Sequence, residues 1–200
     1  MIALDAHLTA ALGDVADIAA GHPLRSAVDE LPAGEIAVVQ MRNVDPDGGV
    51  DWSGLRAVEL PPARKTELLR PGDVIFSTRG TRNYAVALND VPRPAVCSPH
   101  FFVIRVRAPD IDPGFLAWQI NQAPAQEYFQ REATGSHILN IRREVIERLE
   151  VVRPPLAQQA AIAALADAVR HEKHVLSALI DLRQRQMDAL AAGLRQKIKE

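Results

Sequence analysis

The sequence predicts a mixed α/β domain followed by one long C-terminal α-helix. Short β-branched runs, separated by proline and glycine turn signals, fill the first 150 or so residues. The character of the sequence changes at Arg153-Pro154-Pro155, and from there to about residue 198 there is no proline and a single glycine. We therefore place a globular domain at residues 1–153 and a helix at residues 154–200.

The domain is predicted to combine short strands with a few helices. Residues 101–107 alternate at their end, so Arg105 and Arg107 share one face of a strand, which could simply be an exposed edge. Turn signals such as Arg70-Pro71-Gly72 precede other apolar runs. The predicted strands lie at residues 35–41, 73–77, 85–88, 101–107 and 150–152, and the predicted helices lie at 111–129 and 144–149.

The C-terminal segment carries one apolar stripe at helical spacing. A helix of this length would be on the order of 60 Å long, which a 150-residue globule is too small to cover. Because isolated helices are marginal in water, we expect the helix to pair with a partner helix as a coiled coil. The alternative is a broken segment that folds back on its own domain. The stripe residues predicted to form the dimer contact are Leu165, Val169, Leu176, Ile180, Met187, Leu190 and Leu194.

Charge is distributed unevenly although the net charge is only −2. Residues 1–63 hold 3 Lys and Arg against 10 Asp and Glu, or −7, whereas residues 64–107 hold 8 against 3, or +5. Residues 108–200 are balanced at 12 against 12. The basic middle segment is either an ordinary solvated face or an electrostatic footprint for phosphates.

Several functional classes lack their sequence signals. The chain has one cysteine, Cys97, and no apolar run long enough for a membrane span or a signal peptide, so we expect a cytoplasmic protein. It has no G-x-G-x-x-G turn, no Asn-Pro-Pro-aromatic or Asp-Pro-Pro-aromatic motif and no Walker lysine loop. The segment His171-Glu172-Lys173-His174 lacks the H-E-x-x-H spacing of zinc proteases. We expect no catalytic residues, no metal site and no cofactor on this chain.

Five segments occur in a fixed order along the chain: LGDVADIAAG (12–21), VQMRNV (39–44), LRPGDVIFSTRG (69–80), ATGSHILNI (133–141) and VRPPLAQQAAI (152–162). Each segment is weak alone, but their order, spacing and attachment to a 40-residue helix make the combination specific. Together they resemble the specificity (S) subunit of type I restriction-modification enzymes.

The resemblance implies a division of labour. The globular part would be a target-recognition domain reading one half of a split site in double-stranded DNA. The helix would act as a ruler and dock the methyltransferase (M) subunits, which would bind S-adenosylmethionine, and a restriction/translocase (R) subunit, if present, would supply cleavage. An S subunit usually carries two such units, whereas this sequence holds one, which implies a half-length subunit that pairs with a second copy of itself as a homodimer.

Three alternatives remain open at this stage. The second domain could come from a different half-subunit instead of a second copy. The chain could also be a protein-interaction module that does not bind DNA and organises a defence complex, a possibility that the acidic first third supports. An enzyme acting alone is the weakest reading.

Candidate DNA-reading residues follow from their hydrogen-bonding groups. Arginine can bridge guanine, asparagine can pair with adenine, and hydroxyls and arginines suit phosphates. The alternative for the richest loop is an ordinary polar turn. That loop supplies Ser77, Thr78, Arg79, Arg82, Asn83 and Tyr84, and the end of an earlier strand supplies Arg42 and Asn43.

A third patch lies between the two predicted helices of the domain. Its glycine permits close backbone approach, and its hydroxyl and arginine groups suit phosphates. The alternative is a helix N-cap at Ser136 or Asn140 followed by solvated arginines. The candidates in this patch are Ser136, His137, Asn140 and Arg142.

Overall fold

The structure is a computed structural model that describes residues 9–24, 27–28, 33–60, 67–80, 82–133 and 139–197, with the backbone alone for residue 139 and residues 192–197. In chain order the elements are β1 (Thr9–Ala11), α1 (Leu12–Val15), β2 (Ala16–Ala20), β3 (Ala33–Val39), a 3₁₀ helix (Met41–Asn43), β4 (Val44–Asp45), β5 (Gly49–Val50), β6 (Ala57–Val58), β7 (Asp73–Ser77), β8 (Arg79–Gly80), β9 (Ala85–Ala87), β10 (Ala95–Cys97), β11 (Phe101–Val106), α2 (Pro113–Ile120), α3 (Ala123–Glu132), β12 (Leu139–Asn140), α4 (Arg143–Glu147), β13 (Glu150–Val152) and α5 (Leu156–Lys197).

A four-stranded antiparallel sheet in the order β2-β11-β7-β9 forms the centre of the domain. Successive residues of a strand point to opposite faces, so each strand contributes to two cores. Val74 and Ile104, which are paired across β7 and β11, face one core. Ile75 and Val103, the next pair, face the other. The buried sheet therefore holds both layers of the domain together.

The first core lies between the sheet and the helices. It gathers Phe76 from β7, Leu116 and Ile120 from α2, Phe129 from α3 and Ile146 from α4. The rings of Phe76 and Phe129 lie 5.0 Å apart between centroids. Because β1 pairs with β13, the two ends of the described domain meet on this side, directly before the long helix.

The second core lies between the sheet and a smaller sheet in the order β10-β3-β6. In this sheet β10 pairs with β3 in parallel and β6 pairs with β3 antiparallel. Cys97 on β10 is buried, and this burial raises the pKa of its thiol. An un-ionised, inaccessible thiol is a packing residue and a poor nucleophile.

Two predicted elements differ from the structure. The helix expected at residues 111–129 is two helices, because the chain turns at Asn121 and Gln122 before a proline enters the first turn of α3. The Asp112 side chain caps α2 by accepting a hydrogen bond of 2.7 Å from the backbone N–H of Phe115. The strand expected at 35–41 begins two residues earlier and ends at Val39, where the 3₁₀ helix follows.

The predicted fold class is confirmed: a mixed α+β domain is followed by a single C-terminal helix, α5. Its 42 residues make it about 63 Å long. The described side chains beyond residue 170 are all exposed, although Lys173 Nζ lies 3.7 Å from Asp47 Oδ1 of the domain. The helix is unbroken and is not buried against its own domain over this part. Its pairing as a coiled coil stays a prediction.

Candidate nucleic-acid interface

The three sequence patches selected as DNA-reading candidates meet on one side of the domain. Strand β8 begins two residues after the end of the buried strand β7. It pairs antiparallel with β12, and Arg79 lies opposite Asn140. The backbone N–H of Ile141 also donates to the carbonyl of Thr78 at 3.0 Å. A Cβ built on Gly80 would lie 3.7 Å from the Met41 side chain in the 3₁₀ helix. Sheet strands therefore deliver all three patches to one place.

Four of the predicted contact residues are buried and serve the loop itself. Ser77 Oγ donates to the carbonyl of Arg79 at 2.8 Å, and Thr78 Oγ1 donates to the carbonyl of His100 at 3.0 Å. Asn83 Nδ2 donates to the carbonyl of Ser77 at 2.8 Å. These side chains therefore hold the loop through hydrogen bonds inside the protein and are closed to solvent.

Tyr84 completes this buried layer. Its ring packs edge-on against Phe101 at 6.4 Å between centroids. Burial raises the pKa of its hydroxyl, and a hydrogen bond with Ser77 opposes part of this shift. Four of the six candidate side chains of this loop are therefore buried, and Arg79 and Arg82 are exposed.

The exposed side chains of the site are arginines. Arg79 and Arg82 are exposed on the loop after β7, and neither has an ion-pair partner among the described residues. Arg142 is exposed at the N-cap position of α4, and Arg42 is exposed in the 3₁₀ helix, where it makes an interaction within the chain. Exposed guanidinium groups on these neighbouring segments suit a polyanion.

The other two predicted asparagines, Asn43 and Asn140, are half-buried. Asn43 Oδ1 accepts a hydrogen bond of 3.2 Å from the backbone N–H of Gln40, which closes the 3₁₀ helix. Asn140 lies on β12 and also makes an interaction within the chain. The Asn140 side chain does not cap α4, which has no side-chain cap. Ser136 and His137 lie outside the described residues.

Other arginines of the basic segment are used inside the fold. Arg105 holds Asp73 with two hydrogen bonds, Nε to Oδ1 at 2.7 Å and Nη2 to Oδ2 at 2.8 Å, and also contacts Glu67. The side chain of Asp73 is 2 % exposed, and the bonds to it raise the pKa of the Arg105 guanidinium. Arg93 donates to the backbone carbonyls of Trp52 and Leu55. The positive charge available to a ligand is thereby concentrated at the loops.

Arg107, which the sequence places on one strand face with Arg105, lies one residue beyond the end of β11 and has a different environment. Its Nε lies 2.9 Å from Asp17 Oδ1 on the neighbouring strand β2. Both side chains are about half exposed or more, at 49 % and 70 %. The expected exposed edge is therefore only partly present: Arg107 lies at an exposed edge, whereas Arg105 closes a buried carboxylate.

The predicted dimer stripe on α5 is exposed. Because nothing in the described domain covers it, a large apolar surface faces solvent along the helix. The side chain of Leu194 lies outside the described part. The exposed fractions are 67 % for Leu165, 43 % for Val169, 51 % for Leu176, 68 % for Ile180, 61 % for Met187 and 63 % for Leu190.

The joint between helix and domain was not predicted. Gln159, in the first turn of α5, is fully buried: its Oε1 accepts from the backbone N–H of Asp112 at 2.9 Å. Its Nε2 donates to the carbonyls of Asp110 and Pro154, at 2.8 and 2.6 Å. Nothing in the sequence distinguishes Gln159 from its exposed neighbour Gln158. Arg153 adds an ion pair of 2.6 Å to Asp110.

Two structural findings bear on other classes of function. The described ranges contain no cluster of three or more His, Cys, Asp or Glu that could hold a metal ion. None of their helices combines the length and the apolar character that a membrane crossing requires.

Comparison with known proteins places this fold. No protein-family model matches the sequence, and no curated protein matches it. Among solved structures, the type I restriction-modification system S subunit from M. genitalium matches with a TM-score of 0.57 and 15 % identity, covering 92 % of this chain and 45 % of that one. The HsdS subunit from Thermoanaerobacter tengcongensis matches with a TM-score of 0.57 and 21 % identity, covering 91 % and 46 %.

A chain from a structure on complex assembly and conformational transition of the type I restriction-modification system matches with a TM-score of 0.58 and 16 % identity, covering 91 % of this chain and 43 % of that one. The present chain thus spans less than half the length of the chains it matches. The resemblance inferred from the sequence is confirmed at the level of the fold: this chain has the fold of about half of a type I S subunit.

Proposed function

We propose that this chain is a half-length specificity subunit of a type I restriction-modification system, which reads one half of a bipartite DNA site. The observation that carries the proposal is the convergence of the three candidate patches on one face of a domain with the S-subunit fold. The exposed groups on that face are guanidinium groups, which bind phosphates and guanine. The buried Ser77, Thr78, Asn83 and Tyr84 act as its framework.

Electrostatics gives the proposal a measurable signature. If Arg42, Arg79, Arg82 and Arg142 each neutralise one phosphate, the logarithm of the binding constant falls with the logarithm of salt concentration with a slope of roughly −3.6 per domain. The acidic remainder of the chain would not produce such a slope. A protein-interaction module that does not bind DNA would show no salt-dependent DNA binding at all.

The apolar stripe of α5 supports an antiparallel homodimer with a defined register. Four of the seven stripe residues are placed symmetrically about position 178, since Leu176 and Ile180 lie two residues on either side of it and Val169 and Met187 lie nine residues on either side. In an antiparallel pair with its axis at 178, these four residues therefore oppose one another at the centre of the pair. Two-fold symmetry of the protein then calls for two inverted half-sites, which is an interrupted palindrome.

A second apolar face on the same helix supports docking of a further subunit. Val175, Leu179 and Leu182 are 50 %, 46 % and 47 % exposed. At about 100° per residue they lie roughly a quarter-turn around the helix from the dimer stripe. One partner helix cannot cover both faces. We assign the second face to the methyltransferase subunits, which would supply S-adenosylmethionine and the adenine-methylating chemistry.

A genome-wide methylation map tests the proposed function. The host would express this chain with its neighbouring methyltransferase, and the control host would express the methyltransferase alone. We expect a new split palindromic motif that depends on this chain. No new motif from a confirmed stable complex would overturn DNA recognition and leave the interaction module. A new motif with two unrelated halves would overturn only the homodimer and indicate a different half-subunit as partner.

Disulfide cross-linking tests the register of the pair. Two variants carrying Val169→Cys or Met187→Cys, each with Cys97→Ala, would be mixed and oxidised. The antiparallel register places these two positions opposite each other, so we expect cross-linked heterodimers. A parallel pair would instead join each variant to itself, and that result would overturn the proposed register.

A further inference from the structure

We infer that the two-stranded ribbon of β8 and β12 enters the DNA major groove and that Arg79 is a specificity-determining residue that reads guanine there. The inference rests on the proposed function, but it assigns a particular base to a particular side chain. Its argument comes from how firmly the backbone around Arg79 is held and from which side chains remain outside.

The backbone is fixed on both sides of Arg79. Before it, the N–H of Thr78 donates to the carbonyl of His100 at 2.9 Å, and the N–H of Ser77 donates to the carbonyl of Tyr84 at 2.8 Å. At Arg79 itself, the carbonyl accepts the Ser77 hydroxyl. The site of attachment of this guanidinium is therefore set before a ligand arrives, which lowers the ordering cost of a two-pronged contact.

The shape of the ribbon suits the major groove. Arg79 is directly opposite Asn140, so both side chains leave the same face of the pair. The next residue, Gly80, has φ +138°, a backbone conformation that residues with a side chain rarely adopt. A two-stranded ribbon is one of the two elements that the major groove admits.

The exposed chemistry selects guanine over adenine. The asparagine nearest in sequence, Asn83, is 1 % exposed, and its Nδ2 is held by the carbonyl of Ser77. Asn43 is occupied with closing the 3₁₀ helix, and Asn140, opposite Arg79 on the ribbon, is half-buried and makes an interaction within the chain. Arg79 is exposed, and its paired donors match the O6 and N7 acceptors that guanine presents in the major groove. Arg142 lies outside the ribbon and serves as a matched control with the same charge.

Selection of duplexes from a randomised pool tests the inference, with the full-length wild-type chain, Arg79→Ala and Arg142→Ala. We expect the wild type to enrich a motif with at least one required guanine. Arg79→Ala should lose the preference at that one position and keep it at the others. Arg142→Ala should keep the whole motif while binding more weakly.

Replacing that guanine by 7-deazaguanine, which removes the N7 acceptor and keeps the base pair, completes the test. The wild type and Arg142→Ala should bind this duplex about 5- to 150-fold more weakly than the unmodified one. Arg79→Ala should not distinguish the two. If Arg79→Ala instead weakens binding equally for all sequences, Arg79 contacts phosphate, and the inference fails while the proposed function stands. If the wild type enriches no motif, both fail.

Discussion

The domain and the helix α5 treat their apolar side chains in opposite ways. Eleven large apolar side chains are exposed among the described residues, and Leu68 is the only one of them that lies in the domain. The domain closes two cores around one sheet, so its stability comes from its own contacts. The helix exposes apolar residues from 165 to 190, so its stability beyond the first turns depends on a partner. One chain thus combines a self-sufficient unit with an incomplete one.

Arginines show the same contrast on a smaller scale. Arg105 is bound to the buried Asp73 and completes the fold, whereas Arg79 is fixed by its backbone and presents its side chain to solvent. Truncating the first should disturb the domain, because it leaves the buried carboxylate of Asp73 without its charged partner. Truncating the second should leave the fold of the domain unchanged, because the side chain is exposed. The fate of a residue type depends on its place in the fold, so charge counts alone do not locate a binding surface.

The largest effect should follow from disrupting the proposed helix–helix contact of α5. Replacing Leu176 and Ile180 by glutamate should convert dimers to monomers, because a dimer holds four of these side chains and each is worth about 1.5–3 kcal/mol on burial. Analytical ultracentrifugation across a concentration series measures this. The domain should remain folded, with an unchanged urea transition.

The matched control for this variant is Val175→Glu with Leu182→Glu on the second apolar face of the helix. It should leave the dimer intact and abolish binding of the methyltransferase subunits. Dimers that persist in the first variant would contradict helix pairing through the stripe.

A smaller but substantial effect should follow from opening the domain's core. Phe76 is fully buried against Phe129, so Phe76→Ala should lower the free energy of unfolding by about 3–5 kcal/mol. Urea denaturation at fixed protein concentration gives this value. Leu68→Ala, at a 37 % exposed position, is the control and should change it by at most about 0.5 kcal/mol. Equal losses in the two variants would contradict the view that the domain's stability resides in this core.

The joint between the two units should show an intermediate effect. Gln159→Ala removes three hydrogen bonds and leaves the Asp112 N–H and the carbonyls of Asp110 and Pro154 without them, which should cost about 1–3 kcal/mol. Thermal and urea denaturation measure the loss. Gln158→Ala, at the exposed neighbour, is the matched control and should be nearly silent. If the two variants were equally stable, the hydrogen bonds of the buried Gln159 side chain would contribute nothing to the attachment of α5 to the domain.

The smallest effect on stability should come from the proposed contact surface. Arg79→Ala with Arg82→Ala should change the free energy of unfolding by at most about 0.5 kcal/mol, because both side chains are exposed. The same variant should weaken DNA binding by a few kcal/mol at most, since each good base contact contributes about 1–3 kcal/mol. Fluorescence anisotropy at two salt concentrations measures the change. DNA binding equal to that of the wild type would move the reading surface elsewhere.

Local sequence patterns predicted the elements whose formation depends on local chemistry. Residues 73–77 and 101–107 were identified as strands from their β-branched and aromatic composition, and α5 from its lack of proline and its apolar spacing. The sequence analysis did not predict which distant strands pair. The parallel pairing of β3 with β10 and the antiparallel pairing of β1 with β13 have no signal in the residues of either strand, because strand pairing depends on the tertiary structure. The break between α2 and α3 has a proline as its signal, which the apolar periodicity outweighed.

The candidate site was predicted at the level of segments but not of side chains. Composition located the loop after β7, the end of β3 and the segment before α4, and the fold brings their described parts together. Composition did not predict that Thr78 and Asn83 bond within the protein while Arg82 faces outward. A hydroxyl or an amide serves equally well for a backbone carbonyl and for a nucleic acid, so only the tertiary arrangement distinguishes the two uses.

The buried Gln159 has a consequence for local unfolding of the chain in solution. Since its side chain fastens the start of α5 to the loop before α2, the helical amides of residues 160–163, directly after Gln159, should exchange with solvent only when the domain itself unfolds. Beyond residue 170 none of the described side chains is a buried tie of this kind, and the exchange of the amides there should slow as protein concentration rises and dimers form. The cooperative folding unit would then extend past residue 159. A fragment ending at residue 153 would lose the hydrogen bonds that Gln159 makes to the domain and should be less stable.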